Sequence, residues 1–353
     1  MSRRSHESTS GPQDDESTAG LLDYIQPLGE DPETPEIRLV AAREHSGLRL
    51  DRFVALCLPE VSRSRVQQWI ALGAIEVEGA ARTSKYRLIG LETVTVRPQP
   101  RAAETAFAPD PVPLDIVHAD PWLIVLDKPP GLVTHPAAGN WRGTLMNGLL
   151  HHWPDQAVLP RAGIVHRLDK DTSGLLVVAR SELAISRLVS QLADRTMSRR
   201  YLALVDGEPP EQGKADAPIG RDPQSPIRMA VVEPHRGREA VTHFQTIRRG
   251  RQDNGRPAAL VLCALQTGRT HQIRVHLQHL GFPLIGDPVY GRRGDASGLG
   301  RQALHAWRLG LRHPLDGRTV AWTAPIPADL GALLEHCKID PALGSAFGSE
   351  FDA

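Results

Sequence analysis

The sequence predicts an α+β protein: a larger domain on a mixed, mainly antiparallel sheet, preceded by a small α+β module. Three observations carry this. Strand-like segments outnumber segments of helical period, and they follow one another along the chain. The 353 residues are enough for two domains with tails. A Pro- and Ala-rich stretch over 98–112, PQPRAAETAFAPDPV, has linker composition and divides them.

In chain order, residues 1–36 are polar and acidic, and are expected to be a disordered tail. The small module is placed at 46–97. LRLDRFVALCL puts Leu50, Phe53, Val54 and Leu58 at helical spacing. Ser62 stands as the N-cap of a second helix, RSRVQQWIAL, which Gly73 stops. AIEVEG and ETVTVRP alternate as strands. The larger domain is placed at 113–340, with a C-terminal tail at 341–353. DIVHAD and WLIVLDKP are strands around a turn at Asp120-Pro121, and GLLVVAR is a strand of buried type. SELAISRLVSQLADRT is a helix capped by Ser181. RRYLALVDG and AALVLCALQTG are strands, and RTHQIRVHLQHLG is a short helix stopped by Gly281. LHAWRLGLRHP and VAWTAP form a hairpin across DGRT.

Composition narrows the function. No segment is apolar for long enough to span a bilayer, and the N-terminus lacks the apolar core of a signal peptide, so a cytoplasmic protein is expected. Cys57, Cys263 and Cys337 are isolated, which argues against disulfides and a cysteine-built zinc site. The net charge of zero conceals a segregation. Residues 1–36 hold 2 Arg against 9 Asp or Glu, leaving 39 basic and 32 acidic residues in the body. A basic body is compatible with a polyanionic partner, and equally with an ordinary soluble surface. Dinucleotide, P-loop and HExxH motifs are missing, so any chemistry falls to side chains.

Three segments hold candidate chemistry. GIVHRLDKDTSGLLVVAR, 163–180, gathers His166, Arg167, Asp169 and Lys170 in one polar loop feeding an apolar strand. Asp171, Thr172 and Ser173 there are readily explained as turn-capping residues. Asp169 is left without such a role. LQTGRTHQIRVHLQHLGFPLIGDPVYG, 265–291, carries Arg269 ahead of a helix that holds Arg274. Such an Arg can keep a buried carboxylate ionised and aimed. His271, His276 and His279 on that helix could in principle bind a metal. No carboxylate at suitable spacing supports it, so no metal is expected. RRYLALVDG places Tyr201 behind an Arg pair. Arg49 and Arg52 on the first helix of the small module, with Arg63 and Arg65 on the second, could form one basic face.

HRLDKDTSGLLVVA, RRYLALV and TGRTHQIRVHL, in this order and preceded by DKPPGLVTHPA, resemble the signature blocks of the RluA-type pseudouridine synthases. SRSRVQQWIALGAIEVEG resembles the core of an S4 RNA-binding module. Together these cover about residues 46–335. The combination is most similar to the large-subunit ribosomal RNA branch, and within it to enzymes acting on the helix 69 stem-loop. The resemblance implies an isomerase that turns uridine into pseudouridine without cofactor or metal, with RNA as its partner; a monomer is expected because nothing in the sequence suggests a large apolar interface. It puts the essential aspartate at Asp169, the base-stacking tyrosine at Tyr201 and the salt-bridging arginine at Arg274. Arg167 fills the space left by the extruded nucleotide, with His166 and Arg269 as further substrate contacts. Arg49, Arg52, Arg63 and Arg65 become RNA-binding residues. A non-catalytic RNA-binding protein and a metal-dependent hydrolase are the rival readings. The first has no use for Asp169, Tyr201 and Arg274 together, and the second lacks carboxylate ligands.

Overall fold

A computed structural model of the chain describes residues 36–98, 106–137, 140–225, 228–295 and 297–342. The chain forms two compact units, residues 1–100 and 101–353.

The first unit contains β1 (Ile37–Val40), α1 (Leu50–Cys57), α2 (Arg63–Ala71), β2 (Ile75–Val77), β3 (Ala80–Ala81) and β4 (Thr93–Val96). Its antiparallel sheet runs β1-β4-β2-β3. The helical spacing of Phe53 and Val54 in α1, and of Val66, Trp69 and Ile70 in α2, turns one stripe of each helix inward. These stripes meet Ile75, Val77, Val94 and Val96 in one core. The unit begins upstream of the expected boundary at 46, because β1 pairs with β4 from Ile37 onward. The acidic tail expected over 1–36 lies, except for Glu36, outside the described residues, as does the C-terminal tail beyond Ala342. Ser62 occupies the N-cap of α2, but its hydroxyl meets Ser64 Oγ at 3.1 Å instead of capping the helix.

The second unit runs β5 (Ile116–Ala119), β6 (Leu123–Lys128), α3 (Leu145–His152), β7 (Ser173–Ala179), α4 (Glu182–Ala193), β8 (Ser198–Asp206), β9 (Gln212–Asp216), β10 (Ile219–Arg221), β11 (Met229–Val231), β12 (Val241–Arg251), β13 (Pro257–Leu265), α5 (Gln272–His279), β14 (Leu304–Arg312), β15 (Thr319–Thr323) and α6 (Ala328–His336). The main sheet has the order β5-β6-β7-β14-β8-β13-β12-β9, with β15 also on β14. The one parallel pairing among its described strands is β7 with β14, so the sheet is mixed and mainly antiparallel, as expected.

The apolar runs of β6, β7, β8 and β13 are continuous because both faces are covered. Ile124, Leu126, Leu176, Val178, Ala203 and Val205 point to a core shared with α3 and α5. The alternating partners point the other way. Leu123, Val125, Leu175 and Val177 meet α4, while Leu202, Leu204, Leu260 and Leu262 meet α6.

The expected linker over 98–112 is shorter than its composition suggests. Asn147 Nδ2 on α3 donates to Ala106 O at 2.9 Å and to Ala108 O at 2.8 Å, tying 106–112 into the second unit. Residues 99–105 lie outside the described residues. Cys263 and Cys337 are buried core residues, and burial pushes their thiols up to about 12 and about 11.

Candidate active site

The loop before β7 is anchored at both ends. Lys128, 1% exposed at the end of β6, donates to Pro129 O, Leu132 O and Lys170 O at 2.7, 3.0 and 2.9 Å. Burial pushes its ammonium down to about 7, against the pull of Asp171 and Asp169. Thr134 Oγ1 donates to Leu168 O at 2.9 Å. Thr172 and Ser173 do more than cap a turn. Gln302 Nε2 donates to Thr172 Oγ1 at 3.0 Å, and Ser173 Oγ meets His305 Nδ1 at 3.0 Å. The loop is therefore fastened to the segment that leads into β14. Gly174 permits that approach: a Cβ there would lie 2.3 Å from Ala306 O, and its φ of +112° is open to glycine.

Held this way, Asp169 lies at the wall of a cavity of about 540 Å³, with its side chain 17% exposed. Arg274 Nη1 donates to Asp169 Oδ2 at 3.1 Å across 105 residues of sequence. Asp169 Oδ1 has no protein partner among the described residues. Arg274 is itself aimed by Asp287, whose side chain is fully buried. Arg274 Nε and Nη2 donate to the two oxygens of Asp287 at 2.7 and 2.9 Å. Val289 N–H and Tyr290 N–H, both at 2.9 Å, add to Asp287 Oδ1. Burial pushes the Asp287 carboxyl up, but Arg274 and these amides together outweigh it and keep it ionised. The Arg274 guanidinium also lies 5.0 Å from the centre of the Tyr290 ring, a cation–π contact.

The other expected residues converge on the same cavity. Tyr201, Arg167, His166 and Arg269 all line it. Tyr201 is buried, and burial raises its hydroxyl pKa. Arg167 is exposed, and no acceptor reaches its side chain among the described residues. His166 is more deeply set than a free substrate contact. Its Nε2 accepts from Val177 N–H at 3.1 Å, and burial pushes its ring down to about 3. Arg269 Nε donates to Glu239 O at 3.0 Å.

Of the helix histidines, His276 is a core residue joined to Thr242 Oγ1 at 2.9 Å and Ala217 O at 3.0 Å. His271 caps α5 in the left-handed region, with φ of 57°. It touches Tyr290 OH at 2.9 Å, and its Nε2 is 4.0 Å from Asp169 Oδ2. No group of three His, Cys, Asp or Glu suited to a metal gathers among the described residues. The residues missed from sequence are Asp287, Tyr290 and Arg199. The first two stand in GDPVYG, inside the block already singled out, and that block was the available signal.

In the first unit, Arg49 and Arg63 do not project freely. Both clasp Asp51, whose side chain is fully buried. Arg49 Nε and Nη2 reach its two oxygens at 3.0 and 2.9 Å, and Arg63 Nη2 and Gln67 Nε2 reach Oδ2 at 2.9 and 2.6 Å. Burial pushes the Asp51 carboxyl up, and these donors together overcome it and hold it at about 2. Arg52 is exposed, and Arg65 lies over the Trp69 ring at 5.3 Å.

A carboxylate with one oxygen fixed by a buried arginine, beside an aromatic ring and several cations, suits work on the sugar and base of a nucleic acid. Comparison with known proteins makes the class specific. The RNA pseudouridylate synthase family profile matches residues 122–279. A ribosomal large subunit pseudouridine synthase D of Neisseria meningitidis serogroup A is 46% identical over 89% of this chain and 85% of its own. The Nitrosomonas europaea protein of that name is 47% identical over 86% and 88%. Among solved structures, human RNA pseudouridylate synthase domain containing 1 superposes with a TM-score of 0.52 at 26% identity, covering 64% of this chain and 89% of that one. The chain belongs to the RNA pseudouridine synthases, isomerases that act on RNA, and the resemblance of its HRLDKDTSGLLVVA, RRYLALV and TGRTHQIRVHL blocks to that family is borne out.

Proposed function

We propose that this enzyme modifies large-subunit ribosomal RNA, at uridines of the helix 69 region, and that Asp169 carries the reaction. The substrate reading is supported by relatives whose names specify the ribosomal large subunit. The site reading is carried by one observation: Arg274 bridges Asp169 and the fully buried Asp287.

The reaction breaks the N1–C1′ bond of uridine, turns the base and rejoins it through C5; the proton lost from C5 is balanced by one gained at N1, so no atoms are gained or lost overall. Asp169 meets the sugar through its unpartnered Oδ1, either bonding to carbon or taking a proton. Arg274 neutralises and orients the other oxygen. Flipping the uridine from its stack costs about a few kcal/mol. Stacking on Tyr201 returns about 1–3 kcal/mol. Arg167 fills the vacated space in the RNA, and Arg269 and His166 contact the flipped nucleotide. The first unit is an S4-like RNA-binding domain, in which Arg52 and Arg65 with the Arg49–Asp51–Arg63 cluster face the RNA backbone. The enzyme acts as a cytoplasmic monomer.

Asp169→Asn tests the site. It should abolish pseudouridine formation while folding and RNA binding persist, measured by chemical mapping of pseudouridine in ribosomal RNA. Full activity in that variant sinks the assignment. Mapping in cells lacking the protein tests the substrate: loss of pseudouridine outside helix 69, with helix 69 intact, would relocate it.

A further inference from the structure

The fold buries three arginines among the described residues, Arg199, Arg274 and Arg301. Arg274 holds Asp287 and Asp169, and Arg301 holds Asp329 at 2.7 and 2.9 Å. Arg199 holds no acceptor among the described residues. It is 8% exposed, its Nε is buried without a partner, and no carboxylate, carbonyl or hydroxyl among the described residues accepts from its guanidinium. Burial pushes its pKa down, yet a guanidinium keeps its proton in proteins. A cation set this deeply, with no countercharge and its Nε–H unsatisfied, is unfavourable for folding, so its presence needs another cause.

Its place supplies one. Arg199 stands two residues before Tyr201 on β8, a spacing that puts both on one face, and both line the cavity that holds Asp169. Gly268, which also lines the cavity, leaves room for the guanidinium: a Cβ there would lie 2.7 Å from Arg199 Nη1. No left-handed φ requires glycine at that position. A second unsatisfied donor lines the same cavity. Because His166 Nε2 accepts from Val177 N–H, the neutral ring carries its proton on Nδ1, which is buried without a partner. The Arg199 charge is felt at His166.

We infer that Arg199, with His166 Nδ1–H beside it, seats a backbone phosphate of the RNA, the phosphodiester adjoining the uridine held against Tyr201. This rests on the reading of the cavity as the place of the flipped uridine. A phosphodiester is the formal anion that the substrate brings, and its two free oxygens match the guanidinium fork. Uracil carbonyls are neutral and would leave the charge unbalanced. The buried cation is thus a binding group held ready, completed by substrate.

The test uses the full chain and total RNA from cells lacking the protein, which contains the true target whatever it is. Single-turnover pseudouridine formation gives a half-saturating RNA concentration and a maximal rate, each at several salt concentrations. Arg199→Met should raise the half-saturating concentration about tenfold or more, as expected for a lost charge-assisted contact. The slope of log affinity against log salt should become about 0.7 shallower, the value for one phosphate contact on a single strand. Its melting temperature should equal or exceed that of the parent protein, because an unpaired buried charge is removed. Arg199→Lys should restore the salt slope, and Gly268→Ala should reproduce the defect of Arg199→Met by displacing the guanidinium. An unchanged salt slope with a lowered maximal rate would assign Arg199 to the base and overturn the proposal. A lowered melting temperature would overturn it in favour of a structural role. Failure of the Asp169 reading is seen separately, as activity retained in Asp169→Asn.

Discussion

Asp287→Asn isolates the device on which the site depends. The wild-type carboxylate takes four hydrogen bonds inside the protein, two from Arg274 and two from the amides of Val289 and Tyr290. Asparagine keeps the shape. Placed with its oxygen at the Oδ1 position, it retains three of those donors. Its NH₂ group then confronts Arg274 Nε–H across the former 2.7 Å contact, donor against donor. A hydrogen bond to a charged group is worth about 1.5–3 kcal/mol. Breaking a buried pair by removing one partner costs about 3–5 kcal/mol. With the geometry partly preserved, about 3 kcal/mol of stability should be lost, leaving the protein folded at 25 °C. The larger effect falls on chemistry. Arg274 is drawn off its line to Asp169 Oδ2, and a displacement of about 1 Å at a reacting group costs about 100-fold in rate. Urea unfolding followed by near-UV circular dichroism gives the stability change, and single-turnover pseudouridine formation gives the rate. RNA affinity should stay within about threefold, since Asp287 is buried away from the ligand. A maximal rate within threefold of the parent, at the reduced stability, would refute the claim that Asp287 aims Arg274.

Three further predictions follow from particular contacts. Tyr201→Phe keeps the ring and should bind RNA almost as well as the parent, whereas Tyr201→Ala should lose about 1–3 kcal/mol of affinity; equal losses in both would point to the hydroxyl instead. Asp51→Ala leaves Arg49 and Arg63 facing one another and should destabilise the first unit by about 3 kcal/mol, read by limited proteolysis in urea. The Asp51 contribution is present above the unfolded carboxyl pKa of about 3.9 and lost as pH falls toward the folded value of about 2. Burial pushes His135 and His305 down to about 4 and His166 down to about 3, so between pH 6.5 and 4 the unfolded chain binds more protons than the folded one. Stability of the second unit should therefore fall through that window, and a melting temperature flat from pH 6.5 to 4.5 would contradict the burial of these rings.

Most of the elements were legible because their causes are local. The stripe of Phe53 and Val54 on α1, the alternation across β2 and β4, and the Ser181 cap of α4, whose hydroxyl accepts from Ala184 N–H at 3.2 Å, are all set by neighbours in sequence. Strand β1 was not legible because four alternating residues after an acidic tail are a weak signal. Only pairing with β4 makes them a strand.

The sequence by itself determined the reaction class and the residues that meet in the cavity. Asp169, Tyr201 and Arg274 stand in blocks whose residue types and order leave little freedom. Beyond the Asp169–Arg274 pair that the family resemblance implied, tertiary structure decided which charges are paired. Asp287 is committed to Arg274, Asp51 takes up two arginines that sequence assigned to RNA, and Arg199 is left with no carboxylate among the described residues. The physical reason is that an ion pair depends on distance and burial: Arg63 reaches Asp51 across 12 residues of sequence and Arg274 reaches Asp287 across 13, and no period of the sequence marks either pair. Periodicity records which face of an element is buried, and it carries no information about which charge will be found there.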